Sequence, residues 1–553
     1  MTPDLIITNA SVLTMDDGAP RAEAVAVAGG AIAALGTSAE IEALAGPETR
    51  AIDAVGATVL PGFVEAHMHL FAGAAELDHL PLDGVSGAEA LAAAVAPYAA
   101  ARPDEAVIMA QAASYALLGE GRRVTRHDLD AILPDRPFAI TAADHHTVWA
   151  NTAALRLSGL LNGLAVGPGN EVVMGADGLA EGELREGEAF QPIIRLAGGE
   201  RARLGLSTGG EPDPAPTPEE RAFDRAILRN GLKHCARHGI TAIHNMDGNR
   251  YTLELLSEIE ADGGLTARVR VPFHFKTFMD LDALDRAEEM TRAFASDTLC
   301  SGFVKLFMDG VIESWTAVML EDYADRPGWR GEPLFEAARF AEIATEIDRR
   351  GLQIAVHAIG DGAVRRVLDG YEAARRANGP RDSRHRVEHI EVIHPDDIPR
   401  FAALGVIASM QPLHRPDPKG WAMEPIRSAL GPARWPCAYA TDDLRRAGAR
   451  IVFATDWPVS PIAPLPSLAA AVDRTPWAEG LSAQPSTLMQ ALAHYTRDGA
   501  YAGFAEERAG RLAPGMLADI VVLSGNVEDV DADGLRNLRA AATIAGGRVV
   551  WEG

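Results

Sequence analysis

The chain has 553 residues, of which 47% are hydrophobic and 23% are charged, as in an ordinary globular protein. Its formal net charge of -26 argues against nucleic acid or an anionic membrane surface as a partner, because both require clustered Lys and Arg. The three cysteines, Cys235, Cys300 and Cys437, are too few and too scattered for a disulfide framework. They predict a reducing, cytoplasmic compartment.

The first 60 residues are predicted to form short β-strands separated by turns. Apolar and β-branched runs such as DLIITNASVLTM are broken by Gly, Asn and Asp. The same pattern returns at the other end of the chain, in RLAPGMLADIVVLSG and AATIAGGRVVWEG. We therefore predict a composite β-sandwich domain from residues 1–60 and 505–553. The opening segment does not resemble a secretion signal, and no run approaches the roughly 20 apolar residues of a membrane helix.

The next strand carries two histidines one residue apart, in the stretch PGFVEAHMHL. Residues i and i+2 of a strand point the same way, so His67 and His69 present two imidazoles to one side. That arrangement suits a divalent metal. A surface strand with two incidental histidines is an equal alternative for this motif taken alone.

A long segment, residues 73–220, separates this strand from the next one. It far exceeds an ordinary strand-to-helix connection and contains strand-like runs of its own, such as RPFAITAADHHTVWAN. It ends in the proline-rich stretch TGGEPDPAPTPEE. We predict an inserted subdomain that covers the active site.

After the insertion, short apolar runs alternate with Ala-, Glu- and Arg-rich helical stretches. Such alternation predicts βα units and a parallel sheet. With the first strand there are eight strand segments, the number that closes a (β/α)8 TIM-like barrel; we assign the barrel to residues 61–504. The other segments are GITAIHNMDG, ARVRVPFHFKTF, SGFVKLFMDG, LQIAVHAIGD, HRVEHIEVI, GVIASMQP and RIVFATDWPV.

Polar residues recur late in these strands, where the active site of such a barrel gathers. A lone histidine on an apolar strand is usually a core residue, whereas a buried unpaired lysine is costly. Their shared position on five strands points to a single site. His385 and His394, which flank the sixth strand, are instead predicted to lie at the surface. The candidate site residues are His67, His69, Lys305, His357, His389 and Asp456.

This pattern resembles the metal-dependent amidohydrolase superfamily over nearly the whole chain. PGFVEAHMHL is similar to the first-strand signature of the family, and LAPGMLADIVVL is similar to its closing segment. HHTVWANTAAL, VKLFMDGVIESWTA, VHAIGDGAV, VEHIE and ASMQPLH resemble the amidohydrolase-3 branch, which includes N-substituted formamide deformylases. The resemblance is specific for the branch and much less so for a substrate.

The resemblance implies a binuclear metal centre. His67 and His69 would bind the more buried ion together with Asp456, and the more exposed ion would be bound by His357 and His389. Lys305 would bridge the two ions as an N-carboxylated lysine, an anion with two oxygens. Zinc or a similar first-row ion suits this ligand set. An unmodified lysine would imply a single ion.

The resemblance also implies a mechanism and further site residues. Metal-activated hydroxide would attack the substrate, with Asp456 as general base and then general acid. His146 is the candidate oxyanion donor or substrate contact, with a structural role in the insertion as the alternative. Trp315 is predicted to line the substrate pocket. His414 is predicted to face the site, with solvent exposure as the alternative.

The predicted function is metal-dependent hydrolysis of an amide or N-formyl C–N bond in a small organic molecule. The nearest alternative is a mononuclear deaminase, and ester or carbamate cleavage by the same site stays open. A non-catalytic scaffold is a remote alternative, since it predicts loss of a ligand residue and every ligand position is filled. Fold alone does not decide between these functions. A homodimer would be unsurprising for such an enzyme.

Overall fold

The computed structural model describes residues 2–82, 84–119, 121–143, 145, 147–167, 170–417 and 423–553. The chain divides into two compact units. One comprises Met1–Leu70, Thr208–Glu211 and Arg229–Gly553, and the other comprises Phe71–Ser207 and Pro212–Leu228. Within the described ranges, no helix has the length and apolar character needed to cross a lipid bilayer.

The strands of the described chain are short, with two to six residues each. The strands before the insertion are β1 (Leu5–Thr8), β2 (Ser11–Leu13), β3 (Arg21–Ala22), β4 (Ala24–Ala28), β5 (Ala31–Gly36), β6 (Arg50–Asp53), β7 (Thr58–Pro61) and β8 (Phe63–Met68). The next are β9 (Leu80–Pro81), β10 (Ile108–Ala113), β11 (Phe138–Ala142), β12 (Thr147–Ala150), β13 (Glu171–Met174) and β14 (Ala180–Arg185). Those that follow are β15 (Ile240–Asn245), β16 (Arg268–Arg270), β17 (Phe273–His274), β18 (Leu299–Cys300), β19 (Phe303–Phe307), β20 (Gln353–Ala358), β21 (Arg386–His389), β22 (Ile407–Met410) and β23 (Arg450–Phe453). The last are β24 (Ile520–Leu523), β25 (Ala540–Ala545) and β26 (Arg548–Glu552).

Helices connect most of the later strands. The helices up to the end of the insertion are α1 (Ser38–Glu42), α2 (Leu70–Glu76), α3 (Ala88–Ala100), α4 (Arg126–Ile132), α5 (Thr152–Leu157), α6 (Gly187–Leu196), α7 (Glu200–Ser207) and α8 (Pro218–Arg237). The remaining helices are α9 (Arg250–Ala261), α10 (Leu284–Ala293), α11 (Ala337–Arg349), α12 (Asp361–Asn378), α13 (Ile398–Leu404), α14 (Ile426–Leu430), α15 (Thr441–Arg446), α16 (Pro464–Val472), α17 (Leu488–His494), α18 (Arg497–Ala502) and α19 (Ala532–Asn537).

Strands from the two ends of the chain share one sheet. Its order is β26-β25-β24-β7-β2-β3, and β24 pairs antiparallel with β7. A second sheet has the order β5-β4-β1-β6. Side chains from both sheets, including Ile7, Val27, Val59 and Ile520, form one apolar core. Burial of this shared core is what holds the distant ends of the chain together.

The second unit contains its own sheet, with the order β13-β14-β12-β11-β10-β9. Alternate residues of its strands enter two separate apolar cores, because successive side chains of a strand point to opposite faces. Phe138 and Trp149 belong to one core, and Ala139 and Val148 belong to the other.

Each of the eight segments predicted as barrel strands contains a strand, and the segment ARVRVPFHFKTF contains two, β16 and β17. Together with β18, which lies outside the predicted segments, these strands form two sheets, β18-β16-β15-β8 and β17-β19-β20-β21-β22-β23. Neighbouring strands in both sheets are parallel. Their burial on both faces agrees with the nearly continuous apolar runs in the sequence. The closed barrel stays a prediction.

Backbone hydrogen bonds bring the first and last of these strands together at their carboxyl ends. The amide of Asp456, which follows β23, donates to the carbonyl of His67 at 2.9 Å. The amide of His69 donates to the carbonyl of Trp457 at 2.8 Å. These two bonds place the paired histidines of β8 directly beside the aspartate that follows β23.

Candidate metal centre

The carboxyl ends of the parallel strands collect the six residues singled out from the sequence, and all six are buried. β8 carries His67 and leads into His69, whereas Asp456 follows β23. The members on the intervening strands are Lys305 on β19, His357 on β20 and His389 on β21.

Asp456 lies between the imidazoles. Its Oδ1 atom is 3.3 Å from Nε2 of His67 and 3.3 Å from Nε2 of His69. Its Oδ2 atom is 3.9 Å from Nδ1 of His389. Ligand atoms of His67, His389 and Asp456 all lie within 4.8 Å of one another. Two imidazoles and a carboxylate at this spacing are a donor set that suits zinc and related divalent ions.

Two of these ligand candidates have strained backbone conformations. His389 has φ 76° and Asp456 has φ 61°, the left-handed region that non-glycine residues rarely occupy. Such strain is retained where the surrounding structure fixes a side chain for function. It indicates that the loop after β23 and the end of β21 are shaped to aim these side chains at the site.

The charges of the site favour a cation at its centre. Burial opposes ionisation of Asp456, but the imidazoles of His67 and His69 outweigh it and hold the carboxyl pKa well below its usual range. Burial also opposes a charge on His69, yet the nearby carboxylates of Asp247 and Asp456 outweigh it and raise the pKa of its imidazole to about 9. Asp247 and Asp456 thus place negative charge on either side of the His69 ring, which would also attract a metal ion.

Buried polar atoms without hydrogen bonds supply a second test of the fit. Within the described ranges, Oδ1 of Asp456, Nδ1 of His69 and Nζ of Lys305 have no hydrogen-bond partner. Unsatisfied buried groups are rare in folded proteins because each costs free energy. Their concentration at one point, with a suitable donor set, fits a bound divalent ion.

His357 and His389 form the second pair of imidazoles. Their ring centroids are 4.5 Å apart, and the ring of His389 is 4.8 Å from that of His67. Burial and the nearby charge of Lys305 lower the pKa of His357 to about 3. Burial and the neighbouring imidazoles likewise hold the pKa of His389 well below its usual value. Both rings are therefore neutral at pH 7, the form that binds metals.

Lys305 is fully buried beside these rings. Its Nζ atom lies 4.7 Å from the ring centroid of Phe307, and the imidazole of His357 stacks on the same ring at 4.7 Å. Burial lowers the pKa of Lys305 to about 8, although the carboxylates of Glu388 and Asp456 oppose this shift. An ordinary structural lysine would not be left in this position without a hydrogen bond.

A buried ion pair behind the centre was missed by the sequence analysis. Nδ1 of His67 lies 2.7 Å from Oε2 of Glu388. The guanidinium of Arg386 donates to both carboxylate oxygens of Glu388, at 2.8 and 3.0 Å. Burial opposes the charge of Glu388, but Arg386 and His67 outweigh it and keep its pKa well below the usual range. The only signal in the sequence was the carboxylate next to His389 in VEHIE.

The other three predicted site residues do not all lie at the centre. His414 lies at the centre, with Nε2 3.9 Å from Oδ2 of Asp456 and its ring stacked on that of His389 at 6.0 Å. Trp315 is held within its own loop, because its indole donates to the carboxylate of Asp325 at 3.1 Å. His146 lies outside the described residues.

Comparisons with known proteins agree with this geometry. The chain is 28% identical over 99% of its length to Protein LONG AFTER FAR-RED 3 of Arabidopsis thaliana, covering 91% of that protein. It is 26% identical over 99% of its length to N-substituted formamide deformylase of Arthrobacter pascens, covering 98% of that protein. The crystal structure of an uncharacterized metal-dependent hydrolase from Pyrococcus furiosus superposes with a TM-score of 0.70 at 25% identity, covering 94% of this chain and 98% of that one.

Parallel strands that end in a cluster of histidines and a carboxylate are typical of a metal-dependent hydrolase. Residues 50–551 match the amidohydrolase family, and the chain belongs to it. The protein is therefore an enzyme that hydrolyses carbon–nitrogen bonds, as the sequence predicted.

Proposed function

We propose that the enzyme cleaves an amide or N-formyl bond of a small organic molecule at a binuclear metal centre. The observation that carries the proposal is the position of Asp456, whose two oxygens face different imidazoles. Oδ1 faces His67 and His69, each at 3.3 Å, and Oδ2 faces His389 at 3.9 Å. A carboxylate shared in this way suits a site in which one residue serves both the metal and the substrate.

In this proposal zinc is the metal, and Lys305 is N-carboxylated. His67, His69 and Asp456 would hold one ion, and His357 and His389 would hold a second. A carbamate on Lys305 would offer both ions a ligand oxygen. The support is the burial of the Lys305 ammonium without a hydrogen bond in the described chain, since carboxylation would convert a stranded cation into a pair of ligand oxygens.

The reaction needs a proton acceptor and a proton donor at the same place. Bound divalent ions supply a nucleophile at neutral pH by lowering the pKa of water from 15.7 to about 7. Oδ2 of Asp456 accepts the proton of the attacking water and returns it to the leaving nitrogen, so that C–N cleavage yields a carboxylic acid and an amine.

A mononuclear hydrolytic deaminase is the second candidate. The observation that favours it is that the ligand atoms of His67, His389 and Asp456 converge within 4.8 Å, a spacing that suits one ion. The two candidates differ in product, because a deaminase releases ammonia from a ring or amidine, whereas the favoured reaction releases a carboxylate and an amine.

The test is a substrate panel assayed with zinc-loaded protein. N-formyl and N-acetyl derivatives of benzylamine and alkylamines would be compared with cyclic amidines, with formate, amine and ammonia measured separately. We expect formate or acetate and the free amine from the first group. Release of ammonia from the second group alone would instead establish the deaminase. Any product that persists in an Asp456→Asn variant comes from a contaminating enzyme. The matched control is Asp369→Asn, which changes an exposed carboxylate in the same way.

We also propose that the two parallel sheets close into one (β/α)8 barrel spanning residues 61–504, interrupted by an insertion at 73–220. The bonds from Asp456 to His67 and from His69 to Trp457 support closure between β8 and β23. The sheet that joins β7 to β24 supports a composite sandwich from residues 1–60 and 505–553.

A further inference from the structure

A short line of buried polar groups leads away from the metal centre at His414. Nε2 of His414 is 3.9 Å from Oδ2 of Asp456, and Nδ1 on the opposite side of the ring is 3.7 Å from Oε1 of Glu391. The second oxygen of Glu391, Oε2, accepts the hydroxyl of Tyr439 at 2.9 Å. His414, Glu391 and Tyr439 are each at most 5% exposed.

Glu391 and Tyr439 fix one another through two independent hydrogen bonds. Besides the side-chain bond, the backbone amide of Tyr439 donates to the backbone carbonyl of Glu391 at 2.8 Å. Tyr439 also has φ 50°, a conformation that costs free energy for a tyrosine and persists where its surroundings enforce it. The carboxylate of Glu391 is therefore held in one orientation, with Oε1 directed at His414.

The imidazole of His414 is restrained in both its tilt and its rotation. Its plane lies within 8° of the plane of His389, at a centroid distance of 6.0 Å, which fixes the tilt. A carboxylate beside Nδ1 selects the rotamer that turns Nε2 toward the opposite side. On that side lies Oδ2 of Asp456, the oxygen assigned above to the reacting water and the leaving nitrogen.

We infer that Glu391 and Tyr439 are positioning residues that hold His414 with Nε2 facing the reacting group. The inference rests on the proposed function, because it assigns the substrate to the side of Asp456 that carries Oδ2. Glu391 acts through His414 and not through the metal ions: its carboxylate contacts His414 and Tyr439, on the far side of the ring from Asp456.

A purely structural role for Glu391 makes a different prediction. If the Glu391 carboxylate only accepted the hydrogen bond of the Tyr439 hydroxyl, its removal would affect folding equally with and without His414. A positioning residue has an effect that depends on His414, because two residues that act as a unit are not additive. The comparison of backgrounds therefore separates the two roles.

The experiment compares Glu391→Gln, His414→Asn and the double variant in the zinc-loaded full-length protein. We expect Glu391→Gln to lower kcat roughly 10- to 100-fold, with KM and bound zinc unchanged. In the His414→Asn background the same change should have no further effect. Equal losses in both backgrounds, a change confined to KM, or loss of zinc would overturn the inference.

Tyr439→Phe provides a second variant in case Glu391→Gln fails to fold, and it should lower kcat in the same direction by a smaller factor. Its matched control is Tyr323→Phe, which removes a buried hydroxyl that donates to the carbonyl of Ala317. The control for Glu391→Gln is Glu372→Gln on the exposed side of α12. A loss of kcat in Tyr323→Phe equal to that in Tyr439→Phe would overturn the inference.

A spectroscopic readout separates this inference from the proposed function. Ring-nitrogen NMR signals of histidine labelled with ¹⁵N are assigned to His414 by their loss in His414→Asn. We expect Glu391→Gln to shift the Nδ1 signal of His414, whether or not any N-acyl compound is hydrolysed. An unchanged signal would overturn the positioning role, whereas an inactive protein with a shifted signal would overturn only the proposed reaction.

Discussion

His67 and Glu388 are joined by a contact of 2.7 Å between Nδ1 and Oε2, and both side chains are buried. Arg386 binds the same carboxylate and also donates to the carbonyl of Ala66, the residue before His67, at 2.6 Å. The contact at Nδ1 fixes the orientation of the His67 ring, and Nε2 on its other side faces Oδ1 of Asp456 at 3.3 Å. A carboxylate on β21 thus fixes the ring of a candidate metal ligand on β8.

The first prediction concerns this contact. Glu388→Gln should weaken zinc binding roughly 10- to 100-fold, because an amide is a poorer partner for the His67 ring than a carboxylate. It also leaves the buried charge of Arg386 uncompensated, which should lower the free energy of unfolding by about 3–5 kcal/mol. The measurement is competition with a metal chelator well below the unfolding temperature. If Glu388→Gln bound zinc as tightly as the exposed control Glu372→Gln, Glu388 would not orient His67.

The second prediction concerns the proton acceptor. Asp456→Asn should lower kcat by about 10²- to 10⁴-fold, since an amide cannot accept the proton of the attacking water. The measurement is steady-state hydrolysis of the best substrate from the panel, with bound zinc determined in the same samples. Asp369→Asn, on the exposed side of α12, is the matched control and should leave kcat unchanged. Retention of more than about a tenth of the activity by a metal-loaded Asp456→Asn protein would remove the carboxylate from the mechanism.

The third prediction concerns stability at low pH. Burial opposes the charge of Asp348, but hydrogen bonds from His385, Asn378 and Arg381 outweigh it and hold its pKa well below the unfolded value of about 3.9. A carboxylate with a lowered folded-state pKa stabilises the protein above the unfolded pKa, and this stabilisation is lost as the pH falls through the acid range. Asp348→Asn should therefore lower the free energy of unfolding by about 1–2 kcal/mol at pH 7.

The difference between Asp348→Asn and wild type should shrink steadily below about pH 4. Denaturant unfolding at pH 7 and at pH 3 measures it, with metal-free samples of both proteins so that zinc release does not contribute. Asp369→Asn, whose carboxylate is exposed, should show a much smaller difference at both pH values. A destabilisation by Asp348→Asn that stayed constant with pH would contradict the assignment of a charged Asp348.

The gathering of the candidate metal ligands was predictable because it depends on local spacing and on strand ends. Period-two geometry placed His67 and His69 on one side of β8, and the alternation of strands and helices placed His357 and His389 at one edge of the sheet. Glu388 is different. It neighbours His389 in sequence but contacts His67, and only the pairing of distant strands shows that a carboxylate from β21 reaches β8.

Burial of polar residues was harder to predict than strand position. His385 was expected at the surface, and this was wrong: it is 4% exposed. The amide of Ile354 donates to its Nδ1 atom, and Nε2 lies 3.1 Å from the carboxylate of Asp348. The acceptor that makes this burial possible lies on α11, more than thirty residues earlier in the chain, where no short motif connects it to His385.

The measurement that tests the account most directly is the zinc content of the purified protein and of Lys305→Ala, by elemental analysis. The binuclear centre bridged by Lys305 predicts about two ions per chain in wild type and at most about one in the variant. The exposed Lys233→Ala is the control and should keep the wild-type content. One ion in wild type that persists in Lys305→Ala would contradict the bridged centre and favour the mononuclear deaminase.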